Sequence, residues 1–195
     1  MRCYLIRHGI TEWNATNRIQ GHSDIPLSDA GREQARRVGG YFAGRPLAAI
    51  YTSHLVRSRQ TAEAIAEQTG LALTIEEHLA EIHLGAWEGL TPDEVDARYD
   101  GAYHLWRTEP SRVTIPRGEP VEQFRERVRA MAADILARHA EGDVAIVCHG
   151  GVIAALLADW MQAEYDQVLR KMALDNGGIS AIDCQALPPS ILAKL

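Results

Sequence analysis

Lysine is scarce in this sequence: Lys171 and Lys194 are the only lysines among 20 basic residues, and the formal net charge is -6. The arginines do not gather into a basic run either. A nucleic-acid-binding surface is built from clustered cations, so this composition argues against a nucleic-acid partner. Any cationic site must therefore be local and made of arginine side chains.

Long apolar runs are missing as well. No segment approaches the roughly 18 consecutive apolar residues of a membrane span. The N-terminus lacks the basic-then-apolar layout of a signal peptide. These absences predict a cytoplasmic protein with no membrane partner.

Cysteine is rare, and its spacing argues against two common roles. Cys3, Cys148 and Cys184 lie far apart, each within an apolar stretch, so neither a disulfide framework nor a paired metal knuckle is predicted. We interpret them as reduced core residues. Six of the eight histidines show no short ligand spacing, so we expect surface or loop positions for them and no metal requirement: His22, His54, His78, His83, His104 and His139.

The sequence does contain an alternation of strand-like and helix-like segments. Its 195 residues are 46% hydrophobic, and we expect one domain over 1–195 with a modest insertion. This alternation is typical of an α/β fold whose mostly parallel sheet is covered by helices on both faces. Strands are predicted at 2–6, 47–51, 71–75, 144–148, 179–184 and 191–195, and helices at about 29–43, between Ser53 and Gly70, from Pro120 to near Gly142, and at 152–160.

Residues 76–117 lose clear periodicity. We interpret the stretch from about 83 to 118 as the insertion, and as a lid that selects the substrate. Trp87 and Trp106 are expected to pack this insertion onto the core, with substrate contact as the alternative. The candidate substrate contacts of the lid are Trp106, Arg107, Arg112 and Arg117.

Two of the predicted strands end in histidine followed by glycine, at His8-Gly9 and His149-Gly150. If these strands are parallel neighbours, both imidazoles emerge at the strands' carboxyl ends, where open α/β sheets bind ligands. Taken singly, His8 could end a solvated strand, and His149 could cap a helix or lie in the core. The pair together favours a ligand at this edge.

Two arginines support an anionic ligand. Arg7 precedes His8, and Arg57 lies in the first turns of a predicted helix, where a cation gains nothing from the helix dipole. A solvated Arg57 is the alternative. An anion at the strand ends would explain both residues, because planar guanidinium groups match phosphate oxygens with paired hydrogen bonds.

Several short blocks occur in a fixed order along the first 155 residues. They are Arg7-His8-Gly9 with Thr11 and Asn14, then Gln20-Gly21, Leu27-Ser28, Gly31, Gln34-Ala35, residues 53–62, residues 79–89 with Glu81, and His149-Gly150-Gly151. In this order they resemble the signature of the histidine phosphatase superfamily, the family that includes the phosphoglycerate mutases. The chain is similar to the family's compact phosphatase branch.

The resemblance implies a three-layer α/β/α sandwich with a central, mostly parallel sheet and a covalent phosphohistidine mechanism. His8 would be the nucleophile, and Glu81 would donate a proton to the leaving alcohol and then act as base for water. The phosphoryl oxygens would be held by Arg7, Arg57 and His149. Substrate binding would involve Asn14, Gln20, Gly21 and a backbone amide near Gly150. The resemblance implies no cofactor, and a small phosphate ester as the partner.

Physical chemistry agrees with these roles. A neutral imidazole is a competent nucleophile at neutral pH when its other nitrogen is held by an acceptor. Clustered cations keep it unprotonated and stabilise charge on the phosphoryl oxygens. An alkoxide is a poor leaving group, so protonation by Glu81 could contribute about 10²- to 10⁴-fold.

Three functions remain open. The leading hypothesis is a metal-independent phosphomonoesterase acting on a small metabolite. The alternatives are a cofactor-dependent phosphomutase of the phosphoglycerate mutase type and a non-catalytic protein that binds phosphate ligands. A cysteine phosphatase is disfavoured, because it would need an arginine six residues after Cys148, where Ala154 stands. Departures from the family pattern at Ile10, Arg117 and Pro120 leave the substrate open, and the sequence does not distinguish a monomer from a homodimer.

Overall fold

The computed structural model describes residues 1–139, 141–172, 174–184 and 190–194. Its strands are β1 (Arg2–Arg7), β2 (Leu47–Thr52), β3 (Leu73–Ile75), β4 (Asp143–Cys148), β5 (Ile179–Asp183) and β6 (Ser190–Lys194). The helices are α1 (Glu12–Ala15), α2 (Asp29–Phe42), α3 (Val56–Thr69), α4 (Pro92–Arg98), α5 (Ala102–Thr108), α6 (Val121–Arg138), α7 (Gly150–Trp160) and α8 (Tyr165–Lys171). Short 3₁₀ turns lie at Glu77–Leu79, Gly85–Trp87 and Pro110–Arg112.

The strands form one sheet in the order β3-β2-β4-β1-β5-β6. β1, β2, β3 and β4 pair in parallel, whereas β5 pairs antiparallel with both β1 and β6. The prediction of a mostly parallel sheet is therefore confirmed. The predicted last strand is also present as β6, except that Leu195 lies outside the described residues.

Both faces of the sheet are buried, because successive side chains of a strand point to opposite sides. On β1, Cys3 and Leu5 pack with α6, α7 and α8, whereas Tyr4 and Ile6 pack with α2 and α3. β4 alternates in the same way between the two clusters. This arrangement makes the three layers and explains why β4 reads as an unbroken apolar run. In the described part of the chain, no helix is both long and apolar enough to span a bilayer.

Local signals place the ends of the helices that sequence patterns predicted. Ser28 caps α2, with its hydroxyl accepting a hydrogen bond from the amide of Gly31 at 3.1 Å. Gly70 ends α3 in the left-handed conformation, with φ 71°. The long helix α6 differs from its prediction: Pro120 is its N-cap, and the helix ends at Arg138. The helix therefore ends before the predicted position near Gly142. The next residue, His139, makes a long-range contact, with its imidazole 2.8 Å from the Tyr51 hydroxyl.

Three seven-residue helices, α4, α5 and α8, were not predicted. α4 and α5 lie within residues 76–117, the stretch that lacks clear periodicity. They pack around a separate apolar cluster of Trp87, Val95 and Ile115. Short helices of this kind depend on tertiary packing and show no long apolar stripe. α4 did carry a capping signal, in which Thr91 and Glu94 exchange side-chain and backbone hydrogen bonds.

The contact between α2 and α3 depends on a glycine. A Cβ added to Gly39 would lie 2.3 Å from the carbonyl oxygen of Ala64, which is backbone and has little room to move. The next residue, Gly40, is exposed, and an added Cβ would meet nothing within 4 Å. The two adjacent helical glycines therefore differ only in their surroundings.

We expect Gly39→Ala to destabilise the protein by about 1–3 kcal/mol, because the two helices must move apart. Gly40→Ala should instead stabilise it by about 0.5–1 kcal/mol, because alanine loses less backbone entropy in a helix. Urea denaturation of both variants measures the difference. Equal effects at the two positions would contradict the close helix contact.

Candidate active site

The candidate site lies where β1 and β4 end side by side. Arg7 is opposite Cys148 in the parallel register, and the His8 amide donates to the Cys148 carbonyl at 3.0 Å. The rings of His8 and His149 consequently come within 5.2 Å, centroid to centroid. The prediction that both imidazoles emerge at one edge of the sheet is confirmed.

His8 is buried and held in one tautomer. Its Nδ1 lies 2.7 Å from the carbonyl oxygen of Gly9, which can only accept, so Nδ1 carries the proton and Nε2 keeps a lone pair. Burial, and then the positive charge of Arg57, hold the pKa of His8 well below its usual value. Gly9 lets the backbone after His8 pack closely against Gly31, because an added Cβ would lie 2.6 Å from the Gly31 carbonyl oxygen. His8 is therefore neutral and oriented.

His149 is the N-cap of α7 and is fully buried. Its Nε2 lies 2.7 Å from the Ser53 hydroxyl, whereas its Nδ1 has no partner among the described residues. Burial and the nearby Arg57 charge lower the pKa of His149 well below its usual value. If the Ser53 hydroxyl donates to Nε2, the neutral ring carries its proton on Nδ1 as a donor without an acceptor.

The terminal nitrogens of the two arginines donate to carbonyl oxygens, whereas their Nε atoms have no partner among the described residues. Arg57 is 1% exposed and donates to the carbonyls of Ser23 at 2.8 Å and Gly21 at 2.7 Å. Arg7 donates to the Leu174 carbonyl at 2.8 Å. Burial lowers the pKa of Arg57 to about 10 and also lowers the pKa of Arg7, and both remain charged at neutral pH.

Three buried nitrogens of these groups have no partner in the described part of the chain: Arg7 Nε, Arg57 Nε and His149 Nδ1, the last of which is a donor when the Ser53 hydroxyl donates to Nε2. Buried N–H groups without partners are costly, so such a group of three indicates an acceptor supplied from outside. α7 also begins here, and the N-terminus of a helix favours an anion. The site is thus suited to a multiply charged oxyanion.

Glu81 is the acidic residue of the site. Its carboxylate accepts from the amide of Ile82 at 3.0 Å and from that of Gly151 at 3.1 Å. Glycine at position 151 leaves room for this carboxylate, because an added Cβ would lie 2.3 Å from Glu81 Oε1 and would displace it. The carboxylate also raises the pKa of Arg57 and Arg7, against the effect of burial.

A cavity of about 360 Å³ connects these groups. Eight of the nine residues predicted for the site line it, and the ninth, His149, lies buried behind them. The lining residues are Arg7, His8, Asn14, Arg18, Ile19, Gln20, Gly21, Arg57, Glu81, Leu84, Tyr103, Trp106, Gly150, Gly151, Leu169, Met172 and Leu174.

Asn14 and Gln20 are held by a buried threonine. The Thr11 amide donates to Asn14 Oδ1 at 3.0 Å, and the Thr11 hydroxyl lies 2.9 Å from Gln20 Oε1. Asn176 contributes a further donor, 3.4 Å from Asn14 Oδ1 and 3.0 Å from the His8 carbonyl. These contacts occupy the oxygen of Asn14 and leave its nitrogen for a ligand.

Several residues of the site were not predicted from the sequence. Ser53 orients His149, and His22, expected only on the surface or in a loop, lies in a loop with its Nε2 2.7 Å from the Glu81 carbonyl. Arg18 lines the cavity although nothing in its sequence context singled it out. Ser53 did carry a signal, because it opens the block of residues 53–62.

The lid candidates divide into two groups. Trp106 lines the cavity, whereas Trp87 is 1% exposed and packs inside the apolar cluster of its segment, as expected. Arg107, Arg112 and Arg117 are exposed and lie outside the lining. Arg112 pairs instead with Glu109 at 2.6 Å.

The cysteines lie apart from the cavity lining, in or beside the core. Cys148 points into the core beneath α7, and burial raises the pKa of its thiol. All three cysteines are free, with Cys3 and Cys148 buried and Cys184 half-buried. Across the residues described, no group of three or more histidine, cysteine, aspartate or glutamate side chains is arranged to hold a metal ion.

Comparison with known proteins identifies the family. Residues 3–193 match the histidine phosphatase superfamily (branch 1). The chain belongs to this superfamily, whose members include phosphatases and phosphoglycerate mutases.

Two groups of relatives are similar over most of the chain. A glucosyl-3-phosphoglycerate phosphatase of Mycolicibacterium vanbaalenii is 37% identical over 164 residues, covering 80% of this chain and 72% of the relative. A probable phosphoglycerate mutase, GpmB, of Klebsiella pneumoniae is 35% identical over 193 residues, covering 96% and 87%.

The solved structures of a mycobacterial glucosyl-3-phosphoglycerate phosphatase share the fold. Its complex with VO3 has a TM-score of 0.89 and 31% identity, covering 97% of this chain and 96% of the other. Its complex with inorganic phosphate has a TM-score of 0.86 and 28% identity, covering 98% and 95%. One similar protein has thus been solved with inorganic phosphate and with VO3.

The two buried imidazoles predict a dependence of stability on pH. The pKa values of His8 and His149 are depressed in the folded state, so below about pH 6.5 the unfolded chain binds more protons and folding is disfavoured. We expect the free energy of unfolding to fall by about 2 kcal/mol between pH 7.5 and 5.5. Denaturant unfolding at the two pH values measures this change.

The control is the double variant His8→Asn/His149→Asn under the same conditions. Its pH dependence should shrink to the smaller contribution of His22, whose pKa is also lowered by burial. An unchanged slope in the double variant would show that other groups cause the effect.

Proposed function

We propose that the protein is a metal-independent phosphomonoesterase that hydrolyses a small phosphate ester through a phosphohistidine at His8. The observation that carries the proposal is that two buried arginines with unpartnered Nε atoms line the same cavity as His8, whose Nε2 keeps its lone pair. A phosphoryl group supplies the oxygens that these donors lack. The likeness to phosphatases, including a vanadate complex, supports the same assignment.

In the first step, the Nε2 lone pair of His8 attacks phosphorus. A P–N bond forms while the P–O bond to the alcohol breaks, and its electron pair stays on the leaving oxygen. Protonated Glu81 gives that oxygen its proton, so a neutral alcohol departs. The Gly9 carbonyl, 2.7 Å from Nδ1, stabilises the positive ring of the phosphohistidine.

In the second step, water attacks the phosphorus of phosphohistidine. The carboxylate of Glu81 accepts a proton from water as the new P–O bond forms. The P–N bond breaks, its electron pair returns to Nε2, and inorganic phosphate is released. Both steps use the same acid–base group, which is held in place by the amides of Ile82 and Gly151.

The remaining polar groups stabilise charge on the phosphoryl oxygens. Arg7, Arg57 and His149 offer donors that are already fixed by other contacts, so little reorganisation is needed during the reaction. Asn14, Gln20, Gly21 and the Gly150 amide bind around the same group. The arginines supply the positive charge that many phosphatases take from metal ions.

A phosphomutase is the second candidate, because the likeness to the Klebsiella mutase covers 96% of this chain. A mutase would return the phosphoryl group from His8 to a bound substrate faster than to water. Adding 3-phosphoglycerate with a bisphosphate primer, and following isomer formation against phosphate release, separates the two activities.

Phosphohistidine formation is the first test. Wild-type protein quenched in alkali during turnover of an aryl phosphate in chelator should hold phosphate in an acid-labile, alkali-stable bond, and His8→Ala should hold none. We expect turnover by His8→Ala to fall at least about 10³-fold, because the nucleophile is removed. Circular dichroism and vanadate-induced thermal shifts check the fold of the variant.

Wild-type protein that neither turns over nor becomes phosphorylated, yet binds vanadate, would support a binding protein instead. Turnover that stops in chelator and returns with a divalent cation would contradict the metal-independent mechanism.

Glu81→Gln tests the proton donor through the leaving group. We expect roughly 10²- to 10⁴-fold slower phosphoenzyme formation with an alkyl phosphate, and a much smaller loss with p-nitrophenyl phosphate, whose phenolate needs no proton. Stopped-flow measurement of the first turnover separates this step from hydrolysis. The exposed Glu77→Gln is the matched control and should behave as wild type. Equal losses with both substrates would assign Glu81 a role in binding alone.

A further inference from the structure

We propose that the part of the substrate beyond the phosphate is an uncharged ring that stacks on Tyr103 and Trp106. The inference rests on the proposed phosphatase function and names the substrate class for the same cavity. It follows from the shape, rigidity and charge of the cavity wall that is formed by the lining residues other than the phosphoryl-binding groups.

The aromatic side of this wall comes from α5. Tyr103 and Trp106 are three residues apart, so they share one face of the helix, and both line the cavity. Behind them, the buried Trp87 lies 6.2 Å from the Tyr103 ring and 5.8 Å from the Trp106 ring, between centroids. The buried tryptophan supports the two rings, which therefore present a preformed surface.

Other residues of the wall are apolar as well. They are Leu169 of α8, Met172 directly after that helix, and Leu174, Leu84 and Ile19. The volume of about 360 Å³ is near the small end of ligand pockets. This space suits a phosphate and one ring.

Charge distinguishes this wall from one that would bind a second anionic group. Apart from Arg7 and Arg57, Arg18 is the one cation among the described lining residues. Its NH1 already donates to the Gly89 carbonyl at 2.6 Å and lies 3.5 Å from the Glu94 carboxylate. A substrate carboxylate placed here would have to compete with Gly89 and Glu94 for this one guanidinium, and it would also share the cavity with the Glu81 carboxylate.

The experiment compares three monophosphates with similar alkyl leaving groups. Benzyl phosphate has an uncharged ring, glycerol 3-phosphate has neither ring nor second charge, and 3-phosphoglycerate has a carboxylate. We expect kcat/KM to fall in that order, by about tenfold from benzyl phosphate to glycerol 3-phosphate and further for 3-phosphoglycerate.

Trp106→Ala tests the aromatic surface. It should lower kcat/KM for benzyl phosphate about tenfold, to the level of glycerol 3-phosphate, and change the latter less than about threefold. Trp106→Phe should restore much of the preference, because a ring is retained. Leu105→Ala, at an exposed neighbouring position on α5, is the control and should keep the wild-type order.

Vanadate inhibition should be unchanged in Trp106→Ala, since vanadate occupies only the phosphoryl position. Equal losses for all three substrates, or 3-phosphoglycerate as the best substrate of the wild type, would overturn the inference. If the wild type hydrolyses none of them, the phosphatase proposal fails separately. Calorimetric titration with benzyl phosphate and 3-phosphoglycerate then decides the ring preference from binding alone, and equal affinities would overturn it.

Discussion

The burial of Arg57 is the constraint on which the rest of the site depends. A guanidinium that is 1% exposed needs acceptors, and the carbonyls of Gly21 and Ser23 supply two of them. Those carbonyls belong to a loop that Glu88 holds by accepting from the His22 amide and the Ser23 hydroxyl. Gly21 allows this contact, because an added Cβ would lie 2.2 Å from Glu88 Oε1. One buried charge thus organises a loop far from it in sequence.

The two histidines are likewise buried and held in place by contacts with residues around them. β1 and β4 are adjacent and parallel, so their carboxyl ends deliver His8 and His149 to one point, and burial together with the arginines keeps both rings neutral. The ring nitrogens that face away from the proposed phosphate position are held by Gly9 and Ser53. Buried imidazole and guanidinium groups at the edge of a sheet are energetically costly when they lack partners. An oxyanion bound at this edge would supply the missing hydrogen-bond acceptors.

Much of this architecture was predictable from local patterns. The short apolar runs of β1, β2 and β4 are typical of buried strands. The caps at Ser28 and Gly70 depend on hydrogen bonds to residues no more than four positions away. The family blocks named eight of the residues that line the cavity, although their roles stay proposals. By contrast, the short helices α4, α5 and α8 were missed, because their stability comes from clusters assembled by packing.

The sequence by itself determined which chemical groups stand at the ends of the strands and that the sheet is mostly parallel. The first follows from the residues next to each apolar run, and the second from the alternation of strand-like and helix-like segments. Only the tertiary structure decided their partners: Ser53 meets His149 across 96 positions, and His22 meets the Glu81 carbonyl across 59. It also placed Trp106 on the cavity wall and Arg107, Arg112 and Arg117 outside it. Such choices depend on how helices pack around a distant strand edge, and no local propensity encodes that geometry.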